Sequence, residues 1–326
     1  MFSTSWLKIF LNGPLPKPQF RIYHLTLVSN RVSQSLHKKG MKHGLHLTSH
    51  FEAYNRRPLT LLEASCLLPT YMASSPANHE GFHKFFESWL TEQNQHLQEL
   101  ISASRNNQHT DDSDQILCPL VERVVSHYHN YYHAKSLSTR DNILSMLTPP
   151  WRSLLEDAFI WVGGWRPSVA FHLLYSKSGL QFESGLADLI RGLSTGDLGD
   201  MSHEQLCRVD ELQRKTIREE REMTENMARI QETVADSKMV ELSEAATEEG
   251  GGGDDLGERV ESALKHKEEG LEEMLRKADD LRLRTLKGVL DILTPMQCVH
   301  FLIAAAELHL RLHKWGKNKD EQQHHV

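Results

Sequence analysis

The stretch Thr294-Pro-Met-Gln-Cys-Val-His-Phe-Leu-Ile-Ala-Ala-Ala-Glu-Leu-His-Leu-Arg-Leu-His-Lys-Trp315 decides the fold. It reads as a helix with a marked start. Thr294 can accept from the first free N–H groups, Pro295 fits the first turn, and Gln297 stands where a capping box places it. At about 100° per residue, Cys298, Leu302, Ala305, Ala306, His309, Leu312 and His313 fall on one side. His300, Glu307, Arg311 and Lys314 fall on the other. His309 and His313, one turn apart, therefore lie inside the apolar stripe, and small Ala305 and Ala306 one turn earlier would leave space for a flat ligand. Such breaks of local pattern concentrate at functional sites. The plainer alternative is a pair of core histidines hydrogen-bonded to polar neighbours.

Helical spacing recurs upstream. Phe82, Phe85, Phe86, Trp89, Leu90, Leu97, Leu100 and Ile101 form a stripe, with Glu87, Glu92, Gln93 and Gln95 between them. A second helix over Gln115 to Lys135 carries Leu120, Val124 and Tyr128 on one side. Its His129 and His133, one turn apart, fit a metal pair, but Asn130 and Lys135 beside them indicate a polar face. A third helix is expected from Thr148-Pro-Pro-Trp-Arg to a glycine stop at Gly163-Gly164, burying Trp151, Leu154, Leu155, Ala158, Phe159 and Val162. Trp165-Arg-Pro-Ser168 then restarts a helix. Ser202-His-Glu-Gln205 is a capping-box start for a long helix, and another runs from about Glu258 to Leu293. The two pair as an antiparallel hairpin across an acidic, glycine-rich loop at about 243–257. The fold class is all-α: an elongated multi-helix bundle with a long helical hairpin, spanning 79–320 and followed by a tail, 321–326.

Charge divides the chain. Residues 1–78 hold nine Lys/Arg and two Asp/Glu, a net +7 against −14 for the remainder. This basic N-terminal extension lacks sustained periodicity and reads as poorly ordered or as an organelle transit peptide. An acidic body argues against direct nucleic-acid binding, which draws on clustered Lys and Arg. No apolar run reaches the ~18 residues that span a bilayer. The four cysteines have no CxxC spacing, which fits a reducing compartment. Neither GxGxxG nor GxxxxGKS occurs, and His309-Leu-Arg-Leu-His313 lacks the glutamate of a zinc protease. No nucleophile–base arrangement stands out, so an enzyme is not expected.

Phe86-Glu-Ser-Trp-Leu90, Pro150-Trp-Arg-Ser-Leu-Leu-Glu-Asp-Ala-Phe-Ile-Trp-Val-Gly-Gly-Trp-Arg-Pro-Ser168, Ala278-Asp-Asp-Leu-Arg-Leu-Arg-Thr-Leu286 and the helix with His309, His313 and Trp315 resemble the plant delay-of-germination (DOG) domain. The resemblance covers about 80–317. The same domain forms the C-terminal half of plant leucine-zipper factors that bind TGACG elements. Residues 1–80 have neither a basic helix nor leucine heptads, so the chain looks like the zipper-free, seed-dormancy branch. That branch implies a regulator linked to abscisic acid, acting in nucleus or cytoplasm through type 2C protein phosphatases. It also implies haem bound through a His-x-x-x-His pair, which matches His309 and His313. Two imidazoles about 6 Å apart on one helix face cannot take both axial positions of one haem. The expectation is therefore one axial ligand with the other histidine nearby, or ligation shared with another residue or molecule.

Two other readings follow: a domain working in transcription beside leucine-zipper factors, and a haem-dependent redox sensor or enzyme. The stripe of Phe82, Phe85, Phe86 and Trp89, with the long hairpin, is the expected partner surface. Self-association is left open.

Overall fold

The computed structural model describes residues 79–106, 113–191, 195–248 and 254–324. Contacts divide the chain at Tyr71/Met72, and everything below concerns the second unit. The expectations for residues 1–78 lie outside the described residues. The described residues are helical and form no strands. In chain order the helices are α1 (His79–Asn106), α2 (Ser113–Asp141), α3 (Ile143–Leu147), α4 (Leu154–Asp157), α5 (Val169–Ile190), α6 (His203–Glu232), α7 (Ser237–Glu248), α8 (Asp254–Leu290) and α9 (Pro295–His324).

The opening stretch behaves as its residues dictate. Gln297 N–H donates to Thr294 Oγ1 and Gln297 Oε1 accepts from Thr294 N–H, closing the capping box of α9. Cys298, Leu302 and Ala306 then run into a core shared with Leu100, Leu120, Phe171, Leu174, Val209 and Val289. α9 continues to His324, through residues expected to form a tail. α6 starts at the expected Ser202–Gln205 capping box. Its antiparallel pairing with α8 is visible in three contacts. Gln205 Nε2 donates to Ile292 O, Arg284 reaches Glu219, and Lys267 reaches Asp236 just past the end of α6. The hairpin is more elaborate than the sequence suggests. Helix persists to Glu248 as α7 and resumes at Asp254, so most of the presumed glycine-rich loop is helical. Leu242, Leu256 and Ala263 make a small core at the hairpin tip.

Residues 148–162 depart from expectation. Instead of one helix, a turn at Pro149-Pro150 leads to the four-residue α4, capped by Ser153 and Glu156. Leu154 and Phe159 are exposed, and Trp151 alone of the expected buried set is fully covered. The chain then extends and reverses over Val162 (φ +42°) and Gly163 (φ +66°). Trp161 and Gly164 exchange both backbone hydrogen bonds at 2.7 and 3.1 Å. Positive φ at both central residues is the signature of a tight reversing turn, which suits glycine and costs valine strain.

Candidate functional site

The reversing turn sits over the charged side of α8. Arg282, fully buried, donates to the carbonyls of Trp161, Val162 and Trp165 and to Asp279. Asp279 also accepts from buried Lys135 at 3.0 Å, and Lys135 donates to Gly163 O at the same distance. Burial pushes the Lys135 ammonium down to about 7, with Asp279 pulling the other way. A Cβ on Gly164 would lie 2.6 Å from Arg282 Cζ, so the guanidinium needs glycine there. Beyond the turn, buried Glu220 accepts from Arg166 and from Ser168 N–H, fixing the entry to α5. The tryptophan–glycine–glycine block is therefore a structural clasp. Lys135, expected on a polar face, is one of its central members.

The second constellation lies where α1, α2 and α9 meet. Trp89 stacks on His127 of α2 with centroids 4.6 Å apart and planes within 4°. His309 of α9 approaches Trp89 at 5.6 Å, and the edge of His313 meets Phe86 at 5.8 Å. His96, two turns beyond Trp89 on α1, packs against His127 at 5.0 Å. Burial holds His127 far below the usual imidazole range, at about 3, with His96 and His309 adding to the effect. Burial likewise takes His309 to about 4. These imidazoles are neutral near pH 7, the form that ligates metals.

His313 differs from its pair-mate. Its Nδ1 lies 3.1 and 3.0 Å from the two carboxylate oxygens of Glu156. Burial would raise the Glu156 pKa, but hydrogen bonds from His313 and Ser153 outweigh it and hold the carboxyl at about 2. An imidazole that gives Nδ1–H to a carboxylate presents its Nε2 lone pair, the usual arrangement around a metal-ligating histidine. The donor chemistry thus fits haem iron at His313. The packing is tighter than the small Ala305 and Ala306 suggest, because Phe86 lies against His313 and Trp89 against His309. A porphyrin on either ring would have to displace them.

The expected partner surface on α1 needs correction. Phe82, Phe86 and Trp89 are core, packed with Trp151, Met146 and Leu275, and Phe85 is half-buried against them. An aromatic stripe this dense is consumed by helix packing and presents no docking face. His129 and His133 are exposed on α2. Gln93, read as polar spacing, is 1% exposed and donates to Tyr128 OH at 2.8 Å. Sequence reasoning missed Glu156, Lys135, Asp279 and Arg282. For the last two a signal existed, since Leu275, Ala278, Asp279 and Arg282 share one face of α8. Among the described residues no three His, Cys, Asp or Glu side chains form a ready metal cage. No described helix is long and apolar enough to cross a membrane.

Residues 96–176 match the family model described as "DOG1: Seed dormancy control". "Protein DOG1-like 4" of Arabidopsis thaliana is 34% identical over 240 residues, covering 74% of this chain and 94% of that relative. "Protein RESPONSE TO ABA AND SALT 1" of the same plant is 30% identical over 241 residues, covering 72% of this chain and 95% of the relative. "Transcription factor TGAL1" of Oryza sativa subsp. japonica is 27% identical over 232 residues, 71% of this chain but 44% of that factor.

Proposed function

The chain belongs to the DOG1 seed-dormancy family, and we propose that it is a non-enzymatic regulatory adaptor of abscisic acid signalling that binds type 2C protein phosphatases. One observation carries the choice within the family. The match takes in nearly the whole of the dormancy and abscisic-acid-response relatives and less than half of the leucine-zipper factor. Those relatives are named as regulators and transcription factors rather than enzymes. The polar residues of the clasp support the same reading: they are engaged with backbone carbonyls and one another, in structural roles. Action beside leucine-zipper factors in the nucleus is the second reading, supported by the domain shared with TGAL1.

The proposed partner surface is the α6–α8 hairpin with α7. Residues 219–269 hold sixteen Asp/Glu and six Lys/Arg, so the surface suits a partner with a basic face. Haem belongs to the proposal as a regulator. His313 would hold its iron and Glu156 would orient the ring, with His309 alongside. Bound haem would supply an iron centre responsive to redox state. The residues of this chain would set its access through the contact of Phe86 and Trp89 with α9.

The test is calorimetric titration of the full chain with purified type 2C phosphatases, beside retention on TGACG-containing DNA at moderate salt. Saturable phosphatase binding without DNA retention is expected. Failure to bind any phosphatase overturns the partner, and DNA retention by the chain alone favours the transcriptional reading. Haem is tested separately through the Soret band of wild type, His313→Ala and Glu156→Gln. A band that saturates equally in all three removes His313 from the site.

A further inference from the structure

Buried polar atoms in folded proteins almost always have partners, so those without one are informative about missing ligands. Among the described residues several buried side-chain N or O atoms lack a hydrogen-bond partner. Two of these, His96 Nδ1 and His127 Nε2, belong to rings in contact, and a third, Gln93 Oε1, comes from the residue one turn before His96 on α1. Gln93 and His96 are one turn apart on α1 and share a face. The His96 ring is 5.0 Å from that of His127, the two planes at 68°.

Each of the three atoms is a potential acceptor with an available lone pair. Gln93 donates its amide N–H to Tyr128 OH at 2.8 Å, and its Oε1 has no partner. His127 faces Glu92 Oε2 with Nδ1 at 3.4 Å. That contact favours the tautomer with hydrogen on Nδ1 and the lone pair on Nε2. Trp89, stacked on the His127 face, holds the ring in place, and its own Nε1–H donates to His127 O at 3.2 Å. The cluster is therefore oriented by its surroundings and rich in acceptors.

We propose that Gln93, His96 and His127 form a binding site for a divalent transition-metal ion, with two imidazole nitrogens and one amide oxygen as protein ligands. Two imidazoles bound to one ion at about 2.1 Å in tetrahedral geometry have centroids about 5 Å apart, the separation found here. Imidazole nitrogen selects zinc, nickel or copper over magnesium or calcium. Glu92 is the positioning residue, acting through Nδ1 of His127 as outer carboxylates do for metal-bound histidines. His309 and His313 are not ligands of this site, so it stands or falls independently of haem.

The competing explanation is a buried water bridging the three atoms, which would satisfy them without any metal. The experiment titrates chelator-stripped full-length chain with Zn2+ in competition with a chromophoric chelator. Variants are His96→Ala, His127→Phe, Glu92→Gln and, as an exposed control, His266→Ala. His127→Phe keeps a ring on Trp89, and Glu92 is exposed, so both variants are expected to fold; circular dichroism in chelator verifies this. The expected result is one saturable equivalent in wild type and His266→Ala. Affinity should fall more than tenfold in His96→Ala and His127→Phe, and about 10- to 100-fold in Glu92→Gln. No saturable equivalent in wild type leaves the water explanation and overturns the site. Unchanged affinity in either folded histidine variant overturns it as well.

Discussion

Arg282 and His127 are both buried nitrogen-bearing side chains at helix junctions, and their surroundings treat them oppositely. Arg282 meets three carbonyls and a carboxylate, and Asp279 in turn holds Lys135. His127 has a stacked tryptophan and a carboxylate on one nitrogen, and no partner on the other. A buried network with its donors paired fixes one arrangement of the chain, whereas one with open lone pairs keeps binding capacity in reserve. The clasp therefore reads as architecture, and the α1–α2–α9 junction is where the proposed ligands would bind.

The sharpest way to break this contrast is at Arg282. Arg282→Met removes donors from three partly buried carbonyls while Asp279 keeps only Lys135. Breaking a buried pair from one side costs about 3–5 kcal/mol, so urea unfolding should show loss of most of the stability or no folded protein. A variant as stable as wild type would show that these contacts add nothing to the stability of the fold. Gly164→Ala attacks the same contact sterically, with a methyl group 2.6 Å from Arg282 Cζ. About 1–3 kcal/mol is expected from overpacking, visible as a lower urea midpoint at unchanged slope.

Lys135 makes the clasp sensitive to pH. Burial holds its amine at about 7, and the unfolded amine titrates near the ordinary lysine value of 10.5. Between those values the unfolded chain carries the extra proton, so stability rises with pH from about 7, by at most about 1.4 kcal/mol per unit. The contribution is lost as pH falls through the folded value. Above pH 10 the buried tyrosines oppose it: burial raises Tyr128 to about 12, and Tyr131 and Tyr132 also shift upward. The window to measure is pH 7 to 9.5, where Lys135→Met should give a flatter profile than wild type. Parallel profiles would show that the amine stays charged in the clasp.

The two regions were unequally legible in the sequence. The capping boxes at Ser202 and Thr294 and the stripe of α9 could be read because cap and periodicity are local. The clasp was misread in part. Lys135 sits among polar residues in sequence, and its partner Asp279 is 144 residues away. The helical spacing of Trp151, Leu154, Leu155 and Phe159 predicts one helix across the α3–α5 connection. Tertiary contacts decide otherwise: Ser153 and Glu156 cap a single turn, and Arg282 collects carbonyls that a helix would have used internally. At the junction, His309 and His313 were visible as polar residues in an apolar stripe. Gln93 and His96 share a stripe with Trp89 and Leu100, but the aromatic residues around them drew the pattern first. Nothing local announces that His127 arrives from α2 to meet them.

The smallest predicted effect bears on the same residue that carries the metal proposal. His127→Phe, measured in chelator, removes an unpartnered buried nitrogen and keeps a ring on Trp89. Leaving such an atom unpaired costs about 1–3 kcal/mol, and part of that is offset by the lost contact with Glu92, so a gain of up to about 1 kcal/mol is expected. The corresponding test at the clasp has the opposite sign, since every apolar replacement there strands carbonyls. A loss of stability in His127→Phe would mean that Nε2 is satisfied in solution, and the contrast between the two junctions would shrink to one of composition. A gain without metal, joined to a loss of Zn2+ binding, would identify His127 as a residue kept for its ligand at the expense of the fold.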